Sequence, residues 1–196
     1  AATVAHGLSS APEMLIVKDR DQDMHWFVYH TGLTNANYSV KMDNTQTQAN
    51  DSSKWNGTDP TSSVFSIGTE TGVSESGNKY IAYCFHSVEG YSKVGSYIGN
   101  DNNDGTFVYC GFKPAYVHIK NPNTDGEGFV YMNNKSDPDN VVGTYLTTYG
   151  TTQEQGTTSV RHSRSLDFLS NGFKIRGNST EINDGVVQIF YAVAER

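Results

Sequence analysis

Five residues near the start, Asp19-Arg20-Asp21-Gln22-Asp23, alternate carboxylates in the manner of a calcium loop. A helix-loop-helix calcium site needs Gly at its sixth position and Glu at its twelfth, and these are Met24 and His30 here. The loop does not qualify. A calcium ion held by separate loops, such as Asp101-Asn102-Asn103-Asp104 or Asp137-Pro138-Asp139-Asn140, stays open as the alternative to solvated turns that cap their own backbone. The six histidines (His6, His25, His30, His86, His118, His162) never form His-x-His or His-Glu-x-x-His pairs and read as surface or interface residues. His25 and His30 are five apart, so on one strand they face opposite ways and share no metal. There is no Gly-x-Ser-x-Gly elbow and no glycine-rich phosphate loop leading into a helix. Glycoside hydrolysis needs two carboxylates on facing strands, one with its pKa raised by burial. Glu127 and Asp167 come nearest, and both read as strand-edge residues. The chain is therefore expected to be no enzyme and to need no cofactor.

Aromatic residues suggest binding instead. Trp55-Asn56-Gly57-Thr58-Asp59-Pro60 sets an indole in a polar turn. An exposed indole can stack on the apolar face of a sugar while Asn56 and Asp59 take its hydroxyls. Trp55, Asn56 and Asp59 are thus the candidate ligand-binding residues. The competing arrangement tucks Trp55 back over the end of its sheet, as Phe168 would do further along. Several Asn-x-Ser/Thr sequons, among them those at Asn37, Asn56, Asn134 and Asn178, would carry glycans only in a eukaryotic secretory route, and read as accidents of composition.

The elements holding these residues must be strands. Of 196 residues 36% are hydrophobic and only 18% charged, below the usual ~25%, so Asn, Thr, Ser and Gln make much of the surface. A formal charge of −7, with 14 scattered Lys and Arg, disfavours nucleic acid and anionic membranes. Apolar runs such as Met14–Val17 and Trp26–Tyr29 are far shorter than the ~18 residues of a spanning helix, so no membrane insertion is expected. The opening Ala1-Ala2-Thr3 suggests a processed product or a piece of a longer protein. Cys84 and Cys110 read as small buried hydrophobes, with a bridge between them left open.

Short β-rich runs broken by Asn, Asp, Gly, Ser and Pro recur throughout, from Met14–Lys18 to Val186–Ala192, and predict an all-β antiparallel sandwich of jelly-roll or lectin-like type. The sequence is also duplicated. Ala11-Pro12-Glu13-Met14-Leu15-Ile16-Val17-Lys18 returns as Lys113-Pro114-Ala115-Tyr116-Val117-His118-Ile119-Lys120. Tyr38 followed by Thr45-Gln46-Thr47-Gln48 returns as Tyr145 followed by Thr152-Gln153-Glu154-Gln155. Phe65-Ser66-Ile67 and Ile81-Ala82-Tyr83 return as Phe173-Lys174-Ile175 and Ile189-Phe190-Tyr191. An offset held near ~100 residues in unbroken order is a tandem repeat, and what has been copied is apolar strand positions and turn glycines. Residues 1–89 form the first repeat and 90–196 the second; one pseudo-symmetric sandwich over 1–196 is the alternative. The second repeat opens with a strand at Gly90–Asn100 that the first lacks.

Several phrases resemble a repeat in structural proteins of marine and cyanobacterial tailed phages. They are His6-Gly7-Leu8 with Ala11–Lys18, Trp26-Phe27-Val28-Tyr29-His30, Tyr80-Ile81-Ala82-Tyr83-Cys84-Phe85, Val88-Glu89-Gly90-Tyr91-Ser92-Lys93 and Asp167-Phe168-Leu169-Ser170-Asn171-Gly172-Phe173-Lys174. The resemblance implies a virion location, on a tail fibre or the capsid surface, after assembly in the host cytoplasm. It implies other virion proteins as partners, a homo-oligomer (fibres are commonly trimers), and adhesion to a host surface glycan or envelope protein. It supplies no catalytic or binding residues. A purely structural role in virion assembly competes with adhesion, and a secreted protein that binds or cleaves carbohydrate is the remaining alternative.

Overall fold

A computed structural model describes residues 1–150, 154, 156 and 163–195. Among the described residues fifteen strands and two single-turn helices follow one another: β1 (Ala2–Ala5), β2 (Met14–Asp19), β3 (Phe27–His30), β4 (Tyr38–Lys41), β5 (Ala49–Asn50), β6 (Val64–Ile67), α1 (Thr71–Ser74), β7 (Tyr80–Phe85), β8 (Ser92–Ile98), β9 (Phe107–Tyr109), β10 (Pro114–Lys120), β11 (Val130–Asn133), β12 (Leu146–Thr147), β13 (Leu166–Leu169), β14 (Gly172–Ile175), α2 (Thr180–Asn183) and β15 (Val187–Ala194). The fold is all-β, sandwich-like and antiparallel, with no barrel. Among the described residues no helix is long and apolar enough to cross a membrane.

The chain divides into two compact units, Ala1–Asp43 with Gln48–His86, and Asn44–Thr47 with Ser87–Arg196. The first holds a five-stranded sheet, β5-β4-β3-β2-β7, and the pair β1-β6. The second holds β12-β11-β10-β15-β8 and β13-β14-β9. In the first unit Leu15, Val17, Phe27 and Tyr29 of the large sheet close on Phe65 of β6, with Trp55 and Val73 sealing the cluster. In the second, Val117, Ile119, Val130, Met132 and Phe190 close on Val108, Leu166, Phe173 and Ile175. Each such side chain, fully buried, contributes ~1.5–3 kcal/mol, which makes these layers the main source of stability.

Strand pairing repeats residue by residue. Ile16 faces Tyr83 across β2 and β7, and His118 faces Tyr191 across β10 and β15. Val4 faces Phe65, and Val108 faces Phe173. Polar details repeat as well. Asp19 Oδ1 accepts from the amides of Asp21 (2.8 Å) and Gln22 (3.1 Å), and Asn121 Oδ1 accepts from those of Asn123 (2.9 Å) and Thr124 (3.2 Å). Asn78 Nδ2 donates to Asp19 Oδ2 at 2.8 Å, whereas Asn121 Nδ2 donates to Asp184 Oδ2 at 3.1 Å. The amide–carboxylate pair is kept with its partners exchanged. Each unit also pairs a cation with carboxylates over an aromatic ring: Lys54, buried, with Asp51 and Glu70 over Phe27, and Arg164, half-buried, with Glu181 over Tyr145.

Some elements depart from expectation. β1 and β5, short and exposed, and β13, of only four residues, do not stand out in sequence and exist because a neighbour pairs with them. Next to Tyr145 only Leu146 and Thr147 pair, as β12. Thr152, Gln153 and Gln155 of the repeated Gln-rich phrase, and His162, lie outside the described residues. Cys84 is half-buried and Cys110 buried, both as free thiols.

Candidate functional site

Trp55 does not face solvent. Asn56 (φ 54°) and Gly57 (φ 59°) are both left-handed, and Thr58 N donates to Trp55 O at 3.1 Å, a turn that favours an Asn-Gly centre. A Cβ on Gly57 would stand 2.6 Å from Asn37 Oδ1, so glycine is required for space as well as for φ. This turn sends the indole inward, where Trp55 is 1% exposed and meets Tyr29 edge-on with ring centroids 6.1 Å apart. Asn56 and Asp59 are exposed, but Asp59 Oδ1 accepts the Tyr29 hydroxyl at 2.9 Å. Burial, then this bond, pushes the Tyr29 phenol up. The three candidate residues do share one turn; its indole belongs to the core and presents no stacking face.

The buried acids bear on the reading of Asp167 as a strand-edge residue. Asp19 on β2, Asp167 on β13 and Glu181 in α2 are all buried. Burial would raise the Asp19 pKa, but bonds from Asp21, Asn78, Gln22 and Tyr80 outweigh it and hold the carboxyl below its ordinary range. Asp167 accepts from Arg176 Nε at 2.6 Å, and Glu181 accepts the Tyr149 hydroxyl at 2.7 Å beside Arg164. Each therefore locks loops to a sheet. Asp167 lies on β13, the outer strand of its sheet, and is buried there with Arg176, nine residues on, reaching back to neutralise it. His30 and His118 are likewise buried, not superficial. His30 Nδ1 accepts from Gly32 N at 2.9 Å to close a turn, and His118 packs among Tyr116, Phe129 and Tyr131. Among the described residues, no group of three or more His, Cys, Asp or Glu gathers to hold a metal ion.

An aromatic surface does open elsewhere in the first unit. Trp26 lies one residue beyond the Val17–Phe27 pair, and Tyr83 lies on β7 opposite Ile16. Their rings are stacked nearly parallel (18°) with centroids 6.4 Å apart. Trp26 is half-buried, while Tyr83 and Ile81 are 41% and 39% exposed. Asp43 fixes the approach to this shelf: Oδ1 accepts from Trp26 N at 3.3 Å, and Oδ2 lies 3.0 Å from His25 Nδ1. Lys18 Nζ donates to the Asp19 and Gln22 carbonyls, tying down the loop that carries the carboxylate run. Polar groups thus rim two apolar ring faces. Strand alternation could not distinguish Trp26 from Phe27, since both are apolar and the strand is covered on two sides.

Clefts open in both units. One, about 430 Å³, lies in the first unit among Asp19, Gln22, Met24, Thr71, Glu75 and Asn78. In the second unit, a cleft of about 360 Å³ is flanked by Lys93, Glu89 and Tyr109, whose ring is 66% exposed.

A family model spans residues 1–196 in full. The chain belongs to the DUF7483 family, a domain of unknown function. Comparison with curated proteins and with solved structures found no match.

Proposed function

We propose that this DUF7483 domain is a non-enzymatic module of a tailed-phage virion surface that attaches to a host-envelope polysaccharide through the Trp26–Tyr83 shelf. The observation that carries the reading is the pair of near-parallel, partly exposed rings rimmed by Asp43 and His25. Sugar rings offer an axial C–H face to such aromatic planes and hydroxyls to the polar rim. The low charge of the chain fits hydrogen-bonded contact better than electrostatic capture. The virion location comes from the resemblance to phage structural repeats. Display in several copies, as on a trimeric fibre, would turn weak single contacts into firm attachment.

The test is binding of the purified chain to envelope polysaccharide from candidate host bacteria, with Trp26→Ala and Tyr83→Ala beside it. Both variants should lose most binding while melting within a few degrees of the parent. Unchanged binding by both would remove the shelf from the site. Release of reducing ends from the polysaccharide would overturn the non-enzymatic assignment. Absence of binding, with Trp26 covered by other proteins in an imaged virion, would leave a structural role.

A further inference from the structure

The two units differ at one sheet edge, and that difference bears on what the first unit binds. In the second unit β15 is flanked by β10 on one side and β8 on the other. Tyr191 faces Val94, Phe190 faces Gly95 and Ile189 faces Ser96. In the first unit the equivalent strand, β7, has β2 on one side and ends its sheet on the other. The consequence appears in matched residues. Ile189 and Phe190 are 0% and 3% exposed; Ile81 is 39% exposed, and Ala82 is exposed too. An apolar edge of six residues, carrying no Lys, Pro or bulge to blunt it, is a template for another strand.

We infer that the β7 edge is a strand-acceptor site, filled in the working protein by an extended segment of β8 chemistry pairing antiparallel with Tyr80–Phe85. Three observations specify the occupant. Shared register assigns its positions: the residue in Val94's place would flank Tyr83, and the residue in Ser96's place would flank Ile81. Its side chains would alternate as Val94, Gly95, Ser96 and Tyr97 do, with small or apolar residues next to the edge. Its one difference from β8 lies opposite Ala82. A Cβ on Gly95 would stand 2.9 Å from the Phe190 ring, whereas Ala82 has no ring there, so the acceptor takes a larger residue at that position. This is β-augmentation, in which backbone bonds give affinity and alternate side chains give specificity. The edge lies beside the aromatic shelf without replacing it, for Tyr191 stays half-buried even with β8 alongside.

Val4 holds the place of Val108, so Ala1 holds that of Gly105. Placing a copy of residues 90–104 ahead of Ala1 in the full chain therefore delivers a second β8 to the edge with its natural connection. Hydrogen exchange of the Tyr80–Phe85 amides should slow at least tenfold in the extended chain, and unfolding followed by the fluorescence of Trp26 and Trp55, both in the first unit, should move to higher denaturant. In parallel, a synthetic peptide of residues 90–100 should bind the unextended chain, and its Gly95→Val form should bind at least as well, since only the β15 edge excludes a side chain there. Exchange unchanged by both extension and peptide overturns the proposal. So does a concentration-dependent dimer abolished by Ala82→Pro, which would make a second copy the occupant. Binding to polysaccharide is read separately, through Trp26→Ala, so the failure of either reading leaves the other standing.

Discussion

Replacing Trp55 with alanine separates a core residue from a ligand-binding one. The side chain is 1% exposed, sealed against Leu15, Val17, Phe27 and Phe65, and meets Tyr29 edge-on at 6.1 Å. Truncating a buried Trp costs ~3–5 kcal/mol, the transfer term plus the cavity it leaves. For a unit of this size each kcal/mol is worth ~4–8 °C, so melting of the first unit should fall by at least ~12 °C. The chain has two tryptophans, and in this variant Trp26 is the sole emitter, reporting on the first unit alone. Denaturant unfolding followed by its fluorescence gives the loss directly. Trp55→Phe should cost less, under ~2 kcal/mol, because it keeps a ring against Tyr29 and removes an indole Nε1 that is buried with no partner among the described residues. At low temperature, where the alanine variant remains folded, polysaccharide binding should match the parent. A loss within ~1 kcal/mol, or a binding defect in a fully folded Trp55→Ala chain, would refute the assignment of this indole to the core.

Further outcomes follow from other buried groups. Burial lowers the Lys120 pKa from 10.5 to about 8, although Glu127 and Asp125 act the other way. The unfolded chain binds that proton more tightly between these values, so its contribution to stability rises with pH across the window, by roughly 3 kcal/mol in all. Stability of the parent relative to Lys120→Met, titrated by urea from pH 7 to 10.5, should climb accordingly; a flat difference would show that the ammonium is not desolvated. Glu181→Gln leaves Arg164 without its charge partner and should destabilise the second unit by about 3 kcal/mol, measured by calorimetry. Gly72→Ala drives a Cβ to 2.3 Å from the Phe27 ring and should cost ~1–3 kcal/mol in the first unit while sparing the second. Tyr109→Ala, at the cleft of the second unit, should leave polysaccharide binding within about twofold of the parent on a binding isotherm, whereas Tyr83→Ala should not.

By itself the sequence determined the periodicities. Alternating apolar residues, Asn-Gly and Asp-Gly turns and the repeated Met14–Lys18 and Tyr116–Lys120 phrases settle an all-β, duplicated chain, because backbone pairing and turn geometry act over a few residues. It also marked the strand over 90–100 that the first repeat lacks. Exposure was beyond its reach. Ile81-Ala82-Tyr83 and Ile189-Phe190-Tyr191 read alike, yet one faces solvent and the other is largely covered, since cover depends on whether a strand like β8 lies alongside. For Trp55 the sequence left an exposed indole and a tucked one both open, and the indole is dry; Trp26, placed only in an apolar run, is partly open. Asp19 read as part of a solvated acidic turn and Asp167 as a strand-edge residue, and both are buried, because their partners Asn78 and Arg176 arrive only when the chain folds back. Which side of a strand is wet, and which charge meets its counter-charge, are properties of neighbours far along the chain, so tertiary structure alone decided where this protein offers a surface.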